Sequence, residues 1–179
     1  QHQDAMKIDW KEFFSHRQGI WKMVANLPYN IATPLLVTLL ENAPDIQSIC
    51  VMVQLEVGER FAASPKSKAY GIPSVKAQYW AETKVLGKVS PDVFLPVPKV
   101  DSAILQIIRK PSPPEVNYTN FSRLIQTAFQ HRRKMIRKSL STLIPVSNFT
   151  IAEISPQSRP EELSVEDWVK LANTLEMAK

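Results

Sequence analysis

The residues with the clearest chemical potential are Asn26, Leu27, Pro28 and Tyr29, which place an amide, a carbonyl and an aromatic ring side by side. Pro28 restricts Leu27 to an extended conformation, so the Leu27 carbonyl can project out of the turn. The Asn26 side-chain oxygen and this carbonyl are two acceptors, and an exocyclic NH2 group offers two donors. With Tyr29 stacking on its face, a flat base with an exocyclic amine would fit. The same four residues also make an ordinary turn, so the pattern alone leaves both interpretations open.

Phe94 is the second aromatic candidate for holding a base. It comes just before Pro96 and Pro98, which stiffen the loop that carries it. Taking a base out of its stack costs a few kcal/mol, and stacking on Tyr29 and Phe94 could recover this, since stacking is worth about 1–3 kcal/mol per base. A core position between two strands is the alternative interpretation for Phe94.

The elements that must position these residues alternate between strands and helices. The mainly apolar segment 20–25 predicts a strand over 22–25 that leads to Asn26, and 32–41 predicts the helix that follows. Further strands are predicted over 48–54, 83–89 and 102–109, and further helices over 56–63 and 74–81. The run over 48–54 is continuously apolar, as in a buried parallel sheet. The alternation predicts an α/β fold with a doubly wound sheet, in which ligand sites lie at the carboxyl ends of strands.

A proline-rich stretch at 110–114 (KPSPP) marks the domain boundary. We predict one domain over 1–110, a linker over 111–117 and a second domain over 118–179. The second domain has apolar residues at helical spacing, which predicts an all-helical unit. Ser164, with an acid three residues later, predicts the start of the last helix.

Positive charge is concentrated in the second predicted domain. The chain carries a net charge of +5, yet no Asp or Glu occurs between Glu115 and Glu153. A cluster within this stretch comprises Arg132, Arg133, Lys134, Arg137 and Lys138. The cluster is predicted to lie on the same helix as the preceding apolar residues or on an adjoining one, where Arg133 and Arg137 would share one face. A polyanion-binding surface is the favoured interpretation, and a set of solvated charges whose stems cover a helix is the alternative.

The rest of the composition argues against a disulfide-bonded, a metal-binding or a membrane-spanning protein. The single cysteine, Cys50, cannot form an internal disulfide, and with three scattered histidines it gives no metal-ligand spacing. We therefore expect no metal. No apolar run approaches the roughly 20 residues of a membrane span, and the first residues lack a signal pattern. A cytoplasmic location is expected.

Six segments together resemble the ribosomal RNA adenine dimethyltransferases. They are 26–31 (NLPYNI), 54–60 (QLEVGER), 68–75 (KAYGIPSV), 94–102 (FLPVPKVDS), 132–134 (RRK) and 159–164 (RPEELS). They occur in the family's order and spacing and cover nearly the whole chain. The resemblance is to the kasugamycin-resistance type, which dimethylates two adjacent adenosines near the 3′ end of 16S rRNA.

The resemblance implies a Rossmann-like methyltransferase sheet followed by a small helical domain, with S-adenosylmethionine as cofactor. The implied partner is 16S rRNA in the small ribosomal subunit or its precursor, bound by a monomer. It implies catalytic roles for Asn26, Leu27, Pro28, Tyr29 and Phe94. Asp4 matches the acid that contacts the cofactor's adenine, and Asn26 would also touch the cofactor. An exposed carboxylate capping a turn is the alternative for Asp4.

The glycine-rich cofactor loop of this family has no counterpart in the chain. The four glycines are Gly19, Gly58, Gly71 and Gly87, and no two form G-x-G. We expect this loop and the ribose-binding acid to lie upstream of Gln1, and this chain alone to be inactive.

Two other functions stay open. One is the erythromycin-resistance type of 23S rRNA adenine methylase, against which 69–71 (AYG) and 159–164 speak. The other is an RNA-binding ribosome assembly factor that uses the same fold without catalysis. A binder would have no use for the paired acceptors at 26 and 27.

Overall fold

The computed structural model describes residues 3–17 and 19–176. The chain forms two compact units, one from Gln1–Ala62 with Trp80–Pro111 and the other from Ala63–Tyr79 with Ser112–Lys179. The predicted first domain includes 63–79, whereas in the structure this segment belongs to the second unit. The boundaries of independent domains stay a prediction.

The first unit contains a four-stranded sheet and three α-helices among its described residues. In chain order they are a 3-10 helix at Ala5–Lys7, α1 at Trp10–Ser15, β1 at Trp21–Asn26, α2 at Ala32–Asn42, β2 at Ile46–Gln54, α3 at Leu55–Phe61, β3 at Ala81–Val89, a 3-10 helix at Pro91–Val93 and β4 at Ser102–Arg109. All four predicted strands and the helices at 32–41 and 56–63 are present, with ends shifted by one or two residues.

The sheet is mixed, in the order β1-β2-β4-β3. Strands β1 and β2 are parallel, with α2 as their crossover, while β4 runs antiparallel to both β2 and β3. Strand β2 therefore has a parallel neighbour, β1, on one side and an antiparallel neighbour, β4, on the other. The direction of β4 follows from the loop at 90–101, which joins it to β3. Parallel strands need a long crossover, and this loop contains only a 3-10 turn.

Arg109, at the end of β4, closes the carboxyl end of α2. Its guanidinium donates to the carbonyls of Leu40 at 3.0 Å, Ala43 at 3.1 Å and Ile46 at 3.1 Å. The last carbonyls of a helix lack partners within it, so the cation satisfies groups that would otherwise be unpaired. Burial lowers the pKa of Arg109, and the nearby Asp45 carboxylate raises it. This contact fixes α2, whose first residues follow the candidate site, against the sheet.

The second unit is helical in the part the structure describes. It comprises α4 at Ile72–Trp80, α5 at Tyr118–Gln130, α6 at Ile136–Ser139, α7 at Ser147–Ile151, a 3-10 helix at Pro160–Glu162 and α8 at Val165–Asn173. Phe121, Phe149 and Trp168 are fully buried in its core. Ser164 caps α8 as predicted, since its hydroxyl accepts from the Asp167 N–H at 3.1 Å and the Asp167 carboxylate accepts from the Ser164 N–H at 2.9 Å.

Tyr70 anchors the segment at 63–79 within the second unit. Its ring is fully buried and its hydroxyl donates to the Leu163 carbonyl at 2.9 Å. Burial raises the pKa of Tyr70, and the carboxylates of Glu166 and Asp167 raise it further. The neutral hydroxyl is therefore the form that the folded unit requires.

None of the helices in the described ranges is both long enough and apolar enough to cross a membrane. Within the same ranges, no group of three or more His, Cys, Asp or Glu side chains could hold a metal ion.

Candidate functional site

The motif at 26–29 leaves the sheet at the carboxyl end of β1. Asn26 is the last residue of the strand, and the Leu27 N–H still donates to the Met52 carbonyl of β2 at 3.1 Å. The Leu27 side chain is buried, which fixes the backbone on which its carbonyl is carried. A turn closed by the Ile31 N–H and the Pro28 carbonyl at 3.2 Å then leads into α2. The predicted position at a strand end is confirmed.

A surface hollow of about 260 Å³ brings the five predicted catalytic residues together. Its lining comprises Asn26, Leu27, Pro28, Tyr29, Phe94, Leu95, Pro96 and Pro98. Phe94 is half-buried at the wall of this hollow. It therefore does not occupy the core position between two strands that was its alternative interpretation. Their catalytic roles stay a prediction.

Tyr29 is held by a partner that the sequence analysis did not identify. Its hydroxyl shares a hydrogen bond of 2.7 Å with the hydroxyl of Ser102, the first residue of β4. Ser102 is 0% exposed and lies in the sheet opposite Gln54 and Val89, so its position is fixed. A ring tethered through its hydroxyl keeps its faces free for stacking.

Two open acceptors stand beside this ring. The Asn26 side chain is exposed, and no described residue donates a hydrogen bond to its side-chain oxygen or to the Leu27 carbonyl. The hollow can therefore offer two acceptors to one ligand amine, as the sequence analysis predicts.

The loop that carries Phe94 is braced at both ends. Within it, the Phe94 N–H donates to the Pro91 carbonyl at 3.1 Å. At its base, the Lys88 ammonium pairs with the Asp101 carboxylate at 2.8 Å, and the Leu55 N–H donates to the Asp101 carbonyl at 2.9 Å. The peptide bond between Leu95 and Pro96 is cis. The two hydrogen bonds and the ion pair hold the two ends of the loop that carries the second aromatic wall.

Asp4 caps the 3-10 helix at Ala5–Lys7. One oxygen of its exposed carboxylate accepts from the Met6 N–H at 3.0 Å. This is the capping contact of the alternative interpretation, and Asp4 is not among the described residues that line the hollow. Its role toward a cofactor stays a prediction.

The basic cluster does not lie on one helix, so the predicted shared face of Arg133 and Arg137 was wrong. Helix α5 ends at Gln130 and α6 begins only at Ile136, leaving Arg132, Arg133 and Lys134 in a turn. The reason is tertiary, because the Ile136 N–H donates to the Ser158 carbonyl at 2.7 Å instead of continuing the earlier helix.

The members of this cluster also differ in their contacts. Arg132 is ion-paired with Glu161 and donates to the Lys68 carbonyl at 2.9 Å. Its contacts therefore hold the second unit together. The remaining four side chains are exposed: Arg133, Lys134, Arg137 and Lys138. These four are the better candidates for contacts with phosphate groups.

Comparison with known proteins gives a consistent result along nearly the whole chain. A family model described as ribosomal RNA adenine dimethylase matches residues 1–177. The ribosomal RNA small subunit methyltransferase A of Clostridium botulinum (strain Langeland) is 39% identical over 97% of this chain and 66% of its own length. The protein of the same name from Pseudomonas aeruginosa is 40% identical over 96% of this chain and 65% of its own length. The chain thus spans just under two thirds of these relatives.

Two solved structures have a similar fold. A dimethyladenosine transferase from Plasmodium falciparum matches with a TM-score of 0.76 and 22% identity, over 91% of this chain and 70% of that chain. The 23S rRNA methyltransferase ErmE matches with a TM-score of 0.68 and 22% identity, over 92% of this chain and 69% of that chain. The predicted fold class, a Rossmann-like α/β sheet followed by helices, is confirmed.

Proposed function

The chain belongs to the ribosomal RNA adenine dimethylase family, and from this we propose that the whole protein dimethylates the exocyclic amines of two adjacent adenosines near the 3′ end of 16S rRNA. The observation that carries the proposal is the hollow at the end of β1, whose lining combines the acceptors of Asn26 and Leu27 with the aromatic rings of Tyr29 and Phe94. The substrate is the small ribosomal subunit or its precursor, which places the activity in the cytoplasm.

The paired acceptors would compensate for the low nucleophilicity of the adenine amine. The amine of adenine is a poor nucleophile because its lone pair is delocalised into the ring. If, in the first transfer, the Asn26 oxygen and the Leu27 carbonyl each accept a hydrogen bond from one N–H of the amine, they favour a pyramidal nitrogen whose lone pair is free to attack. No strong base is needed, since the nitrogen loses its proton only after it has gained a methyl group and become cationic. The reaction then depends on positioning and on fixed dipoles.

The aromatic walls supply the positioning. An adenosine must leave its stack before its amine can reach the end of β1. Tyr29, held by Ser102, and Phe94, held by the braced loop, can receive the two faces of the base. The base would then stay in the hollow through each methyl transfer.

S-adenosylmethionine would supply an electrophilic methyl group on a cationic sulfur. The residues of the hollow fit that reacting end, because carbonyl oxygens and aromatic faces favour a nearby cation. Asn26 is the described residue that would touch both ligands. Asp4 uses one carboxylate oxygen in its cap, and its other oxygen would accept from the adenine amine of the cofactor.

The choice among RNA targets rests on similarity. Both relatives at 39–40% identity are named for the small subunit, whereas the 23S rRNA methyltransferase structure is only 22% identical. This difference favours the small subunit. The exposed residues Arg133, Lys134, Arg137 and Lys138 are the proposed contacts to its phosphates. The open acceptors speak against a purely structural assembly factor.

Methyl transfer to ribosomal particles tests the proposal. The full-length protein should be incubated with labelled S-adenosylmethionine and either unmethylated small subunits or large subunits. Digested RNA from the small subunit should contain two dimethyladenosines, with none in the large-subunit RNA. Label in the large subunit alone would support the 23S alternative. Tight binding to small subunits without any methyl transfer would support the assembly factor.

A further inference from the structure

Leu95 is an apolar side chain held almost wholly in solvent at the edge of the hollow. It is 98% exposed, although it lines the same hollow as Asn26 and Tyr29. Single exposed apolar residues are common on protein surfaces and need no explanation by themselves. The position of this one beside a proposed base-binding hollow is what calls for an explanation.

The backbone under Leu95 is well supported. Pro96 follows it directly, the Phe94 N–H donates to the Pro91 carbonyl at 3.1 Å, and Lys88 pairs with Asp101 at 2.8 Å at the base of the loop. A loop whose two ends are already held loses little backbone freedom when it enters a contact. An exposed Leu on such a loop is prepared to be buried by a partner.

Phe94 and Leu95 are consecutive but differ in their surroundings. Phe94 is half-buried at the wall of the hollow, whereas Leu95 projects into solvent. An extruded base leaves a gap in the RNA stack, and proteins that unstack nucleic acid commonly insert Leu, Ile, Phe or Met between the neighbouring bases. Phe94 can therefore contact the extruded base while Leu95 reaches the gap that the base leaves in the RNA stack.

We propose that Leu95 is an apolar wedge that enters the RNA stack beside the target adenosine and occupies the space of the extruded base. This rests on the proposed function of the hollow as the adenine site. The wedge stabilises the unstacked RNA and makes no contact with the reacting amine. Leu95 is thus a positioning residue that acts on the extrusion step.

The test compares stacked and unstacked targets with the full-length protein. Small subunits are reconstituted with rRNA in which the target adenosine is base-paired, and again with its partner nucleotide removed. With Leu95→Ala, the single-turnover methylation rate of the paired target should fall about tenfold, while the unpaired target should react at nearly the wild-type rate. Leu95→Met should restore the rate, since it keeps an apolar side chain.

Val97→Ala is the matched control, because Val97 is 59% exposed on the same loop and does not line the hollow. Equal rates for Leu95→Ala and Val97→Ala on the paired target would overturn the proposal. Equal losses on paired and unpaired targets would also overturn it, because Leu95 would then act in the hollow itself.

A fluorescence measurement separates this inference from the proposed function. 2-Aminopurine at the target position brightens when it unstacks, whether or not methyl transfer follows. Wild-type protein should raise its fluorescence and Leu95→Ala should raise it much less, under conditions where both proteins saturate the RNA. Equal brightening would contradict the wedge. A wild-type protein that brightens the probe but methylates no adenosine would contradict the proposed function alone.

Discussion

The hydroxyl oxygen of Tyr29 lies 2.7 Å from the hydroxyl oxygen of Ser102, which joins the end of β1 to the start of β4. Strand β2 lies between these two strands in the sheet. The hydrogen bond therefore reaches across a neighbouring strand and ties the aromatic wall of the hollow to a fully buried residue. Tyr29 keeps its orientation because Ser102 cannot move without disturbing the sheet.

Ser102→Ala should lower kcat/KM for methylation about fivefold, because a net hydrogen bond of about 1 kcal/mol no longer fixes the ring. Tyr29→Phe should have a similar effect, since it keeps the ring and removes the same bond. The double variant should be no worse than either single variant, which a double-mutant cycle on kcat/KM would measure. Additive losses would mean that the two hydroxyls act independently.

The exposed cations of the second unit should control RNA affinity. Arg133→Glu with Arg137→Glu should weaken binding to the small subunit and flatten its salt dependence, by nearly one unit of slope for each phosphate that is no longer neutralised. Cofactor affinity should not change. Lys66→Glu with Lys170→Glu makes the same charge change at exposed positions of the same unit and serves as the control. If both pairs of substitutions weaken binding equally, the basic cluster acts only through the net charge of the protein.

Arg132 should behave differently from its neighbours. Its side chain is committed to Glu161 and to the Lys68 carbonyl. Arg132→Gln should lower the free energy of unfolding by up to about 1 kcal/mol, as expected for a partly exposed ion pair, and should leave the salt slope of binding unchanged. Denaturant unfolding and binding titrations distinguish these outcomes, and a flattened salt slope would return Arg132 to the RNA-binding surface.

Tyr70 should make stability fall at high pH. Its pKa is raised in the folded protein, while in the unfolded chain it is about 10. Above about pH 10 the unfolded state loses this proton and the folded state keeps it. The free energy of unfolding should then fall by up to about 1.4 kcal/mol per pH unit. The contribution is fully present below the unfolded pKa.

Denaturant unfolding of the wild type and Tyr70→Phe checks this at about pH 8 and about pH 11. The variant should be less stable at the lower pH, where it lacks the bond to Leu163, and the difference should shrink at the higher pH. A difference independent of pH would show that Tyr70 ionises equally in both states.

The local features of the site were predictable from the sequence. Asn26 could be placed at a strand end because the preceding apolar run and the following helix have clear periods. Phe94 could be assigned to the hollow only through the resemblance, since the residues alone slightly favour a core position between two strands. The role of Ser102 was not predictable, because a Ser at the start of a strand carries no signal for a partner on a distant one.

Long-range contacts also explain why the helix predicted for the basic cluster was wrong and why some partners were not predicted. The charges of the basic cluster are visible in the sequence, but the break between α5 and α6 depends on the Ser158 carbonyl. Likewise, the partner of Arg132 is Glu161, which lies beyond the acid-free stretch. The sequence predicts Arg109 at the end of a strand, and only the structure shows that its side chain caps α2. Such contacts depend on tertiary packing and have no local period.

The central claim is that the Asn26 oxygen holds the adenine amine, and Asn26→Ala tests it most directly. In the full-length protein this change should lower kcat for methylation of the small subunit by about 10²–10³-fold, as for the removal of one electrostatic interaction made in the transition state. Binding of the particle should persist. Asn30→Ala, an exposed asparagine in the same turn that does not line the hollow, should leave kcat near the wild-type value. Near-normal dimethylation by Asn26→Ala would contradict the account.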